Sequence, residues 1–183
     1  MTTISITLRA RSDEPRVWLG CLACYNDGRL VGEWVAAIDA PMITASQLHG
    51  RPTDHEELWC FDLDNLPLAR ELSPTEAGEW GTLLAEVDEH HRQAFAAWVL
   101  SGEYLAEGGG DLPSLADFEE RYEGEWATFD DFGAELFEEC GYDAEVPEHL
   151  APYFDMRAWV RDLAYEYTTL RAPDGGVFVF RSL

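Results

Sequence analysis

RVWLGCLACYNDGRLVGEWVAAI, residues 16–38, reads as two strands about a turn, and this reading sets the fold class. Residues 16–25 form an apolar, aromatic run, Asn26-Asp27-Gly28 supplies the residue types of a hairpin turn, and residues 30–38 resume as a strand. Upstream, Ile4, Ile6 and Leu8 alternate with polar residues. Downstream, a short helix over 44–49 and a strand over 58–63 complete a small α+β unit across residues 1–70.

From Ser73 the apolar period lengthens. Ser73-Pro74-Thr75-Glu76 is a capping box with Pro at the first helical position, which predicts a helix running to about Glu86. A second helix over 89–100 places Phe95, Trp98 and Val99 on one face and ends at Gly102. Gly108-Gly109-Gly110 is a flexible joint, so residues 71–110 are expected as a helical acidic domain. In residues 111–183, Ser114-Leu115-Ala116-Asp117 and Thr128 with Asp131 are further caps, the second opening a helix over 129–140 that stops at Gly141. A helix over 155–164 and a hairpin over 165–181, turned at Pro173-Asp174-Gly175-Gly176, close the chain. The expected class is α+β, arranged as three small domains.

Charge is the second strong signal. The chain has 36 acidic residues against 12 basic ones, all Arg, for a net formal charge of −24. Such a surface repels nucleic acid and anionic membranes and seeks basic partners. Apolar residues make up 46% and aromatics 13%, enough to bury a core, so an acidic disordered tail is not the expectation. No apolar run approaches the roughly 18 residues of a membrane span, and residues 1–11 lack a secretory pattern. The reading is a cytoplasmic protein.

The acids are unevenly placed. Residues 1–50 carry five acids and four arginines, whereas Glu103 to Glu148 holds 16 acids with Arg121 alone, and Asp54 to Glu89 holds 11 with Arg70 alone. Salt-adapted proteins spread acids over all surfaces, and ordinary surfaces intersperse both signs. On the helix over 129–140, Phe129, Phe132, Leu136, Phe137 and Cys140 form a stripe to bury, leaving Asp130, Asp131, Glu135, Glu138 and Glu139 outside. Nine helical steps of about 1.5 Å span about 13 Å, or about 3 Å per charge. One strand of B-DNA carries a charge every 3.4 Å or so.

Catalytic and metal patterns are weaker. Cys21-Leu-Ala-Cys24 lies in an expected strand, where residues three apart face opposite sides, so all four cysteines are read as buried apolar residues. Glu86, His90 and His91 offer ligands, but adjacent histidines diverge on a helix. Asp62-Leu-Asp64-Asn65 begins like a calcium loop yet lacks its Gly and its terminal Glu. No phosphate loop or nucleophile dyad is present, and without Lys there is no Schiff-base chemistry. No enzyme, metal or cofactor is expected.

The ordered set Arg16-Val-Trp-Leu-Gly20, Tyr25-Asn26-Asp27-Gly28-Arg29-Leu30, Gly32-Glu33-Trp34, Tyr122-Glu-Gly124, Phe129-Asp-Asp-Phe132, Cys140-Gly141, Pro147, Tyr153-Phe-Asp155, Arg161-Asp162-Leu163 and Val177-Phe-Val-Phe180 resembles the ArdA antirestriction family over nearly the whole chain. That resemblance implies an elongated, curved molecule of three small domains, a homodimer formed through the C-terminal part, and imitation of bent DNA. It also implies that the partner is the DNA-binding groove of a type I restriction-modification enzyme, with no direct binding of nucleic acid or membrane, and carriage on mobile genetic elements. The surface assigned to this role comprises Glu86, Asp88, Glu89, Glu103, Glu107, Asp111, Asp117, Glu119, Glu120, Glu123, Glu125, Asp130, Asp131, Glu135, Glu138 and Glu139. An acidic adaptor for another basic, nucleic-acid-binding protein shares every charge argument and remains the alternative.

Overall fold

A computed structural model describes residues 13–106 and 111–182. The strand expected at Ile4 to Leu8, the triglycine joint and Glu107 lie outside the described residues. The fold is mixed α+β, with two three-stranded antiparallel sheets among the described residues, in two compact units, Met1–Glu86 and Val87–Leu183. No helix among the described residues is long and apolar enough to cross a membrane.

In the first unit, β1 (Arg16–Cys21) alternates as its sequence demands: Val17, Leu19 and Cys21 are buried. The chain then bends. The strand expected to continue to Tyr25 stops at Cys21, and α1 (Leu22–Asn26) follows, tied down by Leu22 N–H donating to the Glu57 carbonyl at 3.0 Å. Asn26-Asp27-Gly28 therefore closes a helical turn rather than a two-residue hairpin, with Gly28 at φ 76°. β2 (Gly32–Ala36) returns antiparallel to β1, from Arg16↔Ala36 to Gly20↔Gly32. α2 (Ala45–His49) begins at a full capping box, Thr44 with Gln47, and ends at Gly50 with φ 63°. β3 (Leu58–Asp64) pairs on the other side of β1, giving the order β2-β1-β3.

α3 (Pro74–Glu86) starts as its capping box predicts. Ser73 N–H donates to Glu76 Oε2 at 2.8 Å, and Glu76 N–H donates to Ser73 Oγ at 3.2 Å. Its buried side, which includes Ala77, Gly78, Trp80, Gly81 and Leu84, lies on the 3-10 turn Ala37–Met42. A Cβ on Gly81 would come within 2.5 Å of the Ile38 backbone nitrogen, so glycine is what permits the close approach.

In the second unit, α4 (Arg92–Ser101) buries Phe95, Trp98 and Val99 and ends at Gly102 with φ 76°. The two helices expected in residues 71–110 thus fall in different units. α5 (Leu115–Arg121), capped by Ser114, adds Phe118, whose ring centroid lies 5.2 Å from Phe95 and 5.6 Å from Trp98. The strand β4 (Tyr122–Trp126) was not expected; it pairs with the last strand and bulges between Tyr122 and Gly124, where Gly124 takes φ 107°. After α6 (Phe129–Glu139), α7 (Tyr142–Glu145) and α8 (Met156–Leu163), the hairpin β5 (Tyr167–Arg171) and β6 (Val177–Arg181) completes the order β4-β6-β5. One cysteine departs from its expected burial. Cys140 is exposed because it sits at the C-cap of α6, where Gly141 turns the chain away; Cys21, Cys24 and Cys60 are buried.

Candidate functional site

α6 is the most regular acidic element. Thr128 caps it, accepting from Asp131 N–H at 3.2 Å and donating its hydroxyl to Asp131 Oδ2 at 2.6 Å. Phe132, Gly133 and Phe137 are buried. Phe132 packs on Tyr167 and Trp126 with centroids at 4.9 and 5.5 Å, and Phe137 packs on Phe154 and Trp159 at 4.9 and 5.2 Å. Asp130, Asp131, Glu135, Glu138 and Glu139 are exposed on this anchored support. Asp130 and Asp131 suit the positive end of the helix dipole, but Glu138 and Glu139 occupy the last turn, which has no base. Each acid there costs about 0.3–1 kcal/mol, so this helix tolerates charge at the end where folding disfavours it.

The other assigned acids are divided in their surroundings. Glu86, Asp88, Glu89, Glu103, Asp111, Glu119, Glu120 and Glu125 are exposed. Asp88 also caps the 3-10 turn Glu89–His91 by accepting from His90 N–H at 2.8 Å. Asp117 and Glu123 are half-buried and paired with cations: Asp117 Oδ2 lies 3.6 Å from Arg121, and Glu123 Oε1 lies 2.7 Å from Arg181. The Glu123 carboxylate raises the Arg181 pKa above its ordinary value, and burial followed by Glu123 raises that of Tyr167.

Arg121 explains how the acidic stretch stays uncompensated. It is only 5% exposed, and its guanidinium is spent inside the unit. Nε donates to the Arg181 carbonyl at 2.8 Å, Nη1 donates to the Glu103 carbonyl at 2.9 Å, and the cation lies 5.7 Å from the Trp98 ring centroid. The single base between Glu103 and Glu148 is thus turned inward, away from the exposed carboxylates.

Two open concavities accompany these acids. One, of about 370 Å³, sets Asp130 beside Arg157 and Arg161; the other, of about 500 Å³, sets Glu125 beside Asp174. Glu76 outside them is held below the ordinary carboxylate range, first by the Ser73 N–H and then by the Ser73 side chain and Arg70. Glu86, His90 and His91 do not form a ligand cluster among the described residues. Cys21, Cys24, His49 and His55 do, a grouping that sequence reasoning missed although C-x-x-C followed by two histidines six residues apart was visible.

Fold and surface together define a small α+β protein whose helices carry carboxylates outward with little compensating base. Residues 17–178 match the family model described as antirestriction protein (ArdA), nearly the whole chain, and the chain belongs to that family. No curated protein sequence matches it.

Proposed function

We propose that this antirestriction protein acts as a DNA mimic, occupying the DNA-binding groove of a type I restriction-modification enzyme so that Lys and Arg of the enzyme pair with carboxylates in place of phosphates. The observation that carries this reading is the buried Arg121 in a stretch whose acids Glu103, Asp111, Glu119, Glu120 and Glu125 and those of α6 are exposed. An ordinary solvated surface would use that base outside. The acids on the unfavourable end of α6 point the same way. The three-domain arrangement, the homodimer, a cytoplasmic location and carriage on mobile elements belong to the same reading. Two chains, each of net charge −24, match the phosphate charge of about 24 bp of duplex.

The mechanism is competitive exclusion without catalysis. Fixed carboxylates gather a thinner counterion atmosphere than DNA, so affinity falls with salt, but less steeply than that of DNA itself. The test is titration of the protein into a type I enzyme bound to labelled target DNA at two salt concentrations. Displacement that weakens with salt is the expected result. Absence of displacement at both salts overturns the mimic and leaves the acidic adaptor.

A further inference from the structure

The bend after β1 does more than end a strand. It carries Cys24 back to the same side as Cys21, since three residues across a strand-to-helix junction no longer face opposite ways. α2 ends on His49, and the loop before β3 presents His55, held in part by its N–H donating to Thr53 Oγ1 at 3.2 Å. Four side chains from four separate pieces of chain, brought from up to 34 residues apart, converge on one point. Cys21 and Cys24 are 1% and 0% exposed, and the two imidazoles are half-buried.

The distances have a definite geometry. Cys21 Sγ lies 3.2 Å from His55 Nδ1, Cys24 Sγ lies 3.5 Å from the same nitrogen, and Cys24 Sγ lies 3.7 Å from His49 Nε2. All four donor atoms lie within 4.8 Å of one another. Zinc–sulfur and zinc–nitrogen bonds of about 2.3 and 2.05 Å at tetrahedral angles put neighbouring donors about 3.4–3.8 Å apart. Thiol-to-imidazole hydrogen bonding alone fits less well. His55 Nδ1 has one lone pair, so it accepts from one thiol, whereas both sulfurs approach it.

We propose that Cys21, Cys24, His49 and His55 form a structural zinc site, with His49 binding through Nε2 and His55 through Nδ1. Two thiolates and two neutral imidazoles cancel the charge of a divalent zinc ion, so the site closes without counter-charge and leaves the acidic surface as it is. Its spacing, C-x2-C followed by H-x5-H, lies within the range of structural zinc sites. The role is a staple. It ties the end of β1, α1, the C-terminus of α2 and the loop entering β3 in a unit with a small core.

Cobalt(II) titration of reduced, metal-free full-length protein tests this directly. The expected result is one equivalent bound per chain, with the visible bands of tetrahedral cobalt and thiolate charge transfer, both removed by added zinc. Cys24→Ser and His55→Ala are expected to weaken binding at least ~100-fold, beyond the ~10–100-fold effect of outer-shell changes. Cys140→Ser, which removes an exposed thiol elsewhere, is expected to bind as wild type. Thiol alkylation read by mass spectrometry covers the case in which a ligand variant fails to fold, because it uses the wild-type chain: zinc is expected to protect Cys21 and Cys24, and a chelator to release them. Absence of the tetrahedral spectrum, binding that survives both ligand substitutions, or alkylation unchanged by chelator overturns the site.

Discussion

Neutralising the outer face of α6 separates a distributed charge surface from a specific contact. The perturbation is Asp130→Asn, Glu135→Gln, Glu138→Gln and Glu139→Gln, singly and together; Asp131 is spared because it completes the Thr128 cap. All four side chains are exposed, so each lost pair with a partner base is worth about 0–1 kcal/mol. At about 0.5 kcal/mol each, a single change weakens binding about twofold and all four together by about 2 kcal/mol, or about 30-fold. Stability moves little. Removing Glu138 and Glu139 relieves the C-terminal end of the helix, and removing Asp130 costs about as much as one of those gains at the N-terminal end. The assay is inhibition of DNA cleavage by a type I enzyme, with the thermal midpoint measured beside it. The reasoning is refuted if any one of these changes abolishes inhibition, or if the fourfold variant inhibits within twofold of wild type while still folded.

Two predictions concern the first unit. Gly81→Ala places a Cβ against the Ile38 backbone, and overpacking of about 1–3 kcal/mol outweighs the roughly 1 kcal/mol gained in helix propensity; the denaturant midpoint should fall, and a rise would show that the contact between α3 and the 37–42 turn is loose. Glu76→Gln keeps the capping geometry but loses the charge that Ser73 and Arg70 stabilise. Because the folded pKa of Glu76 is lowered, its contribution is fully present above the ordinary carboxylate value and is lost as pH falls through the lowered one. The variant should be less stable at neutral pH by under about 1 kcal/mol, with the difference closing in acid; a gap independent of pH in urea melts would contradict this.

Local chemistry was legible in the sequence, and distant pairing was not. The caps at Ser73, Ser114 and Thr128 mark helix starts because each is a hydrogen bond three residues long. β4 escaped because Tyr122-Glu-Gly-Glu-Trp126 reads as polar loop, and its partner Val177–Arg181 is remote in the chain. The end of β1 at Cys21 was hidden for a related reason. A helical turn of five residues is too short to show a period, and the Glu57 carbonyl that fixes it lies 35 residues on. Read as a continuous strand, the sequence puts Cys21 and Cys24 on opposite faces and so points to no histidine neighbours for them. The exposed acids of α6 are legible because amphipathic periodicity needs no distant partner, whereas the withdrawal of Glu123 into an ion pair depends on Arg181, 58 residues away.

The inward Arg121 makes the field around the molecule a property of its folded state and not only of its composition. In an extended chain that guanidinium stands among its acidic neighbours and partly cancels them. Folding turns it inward to hold two backbone carbonyls and to face Asp117, so that the exposed carboxylates around it are left without that cation in contact. Collapse therefore concentrates negative potential at the same moment that it orders the carboxylates. On the proposed mimic reading, a basic partner therefore meets carboxylates in fixed positions only in folded chains.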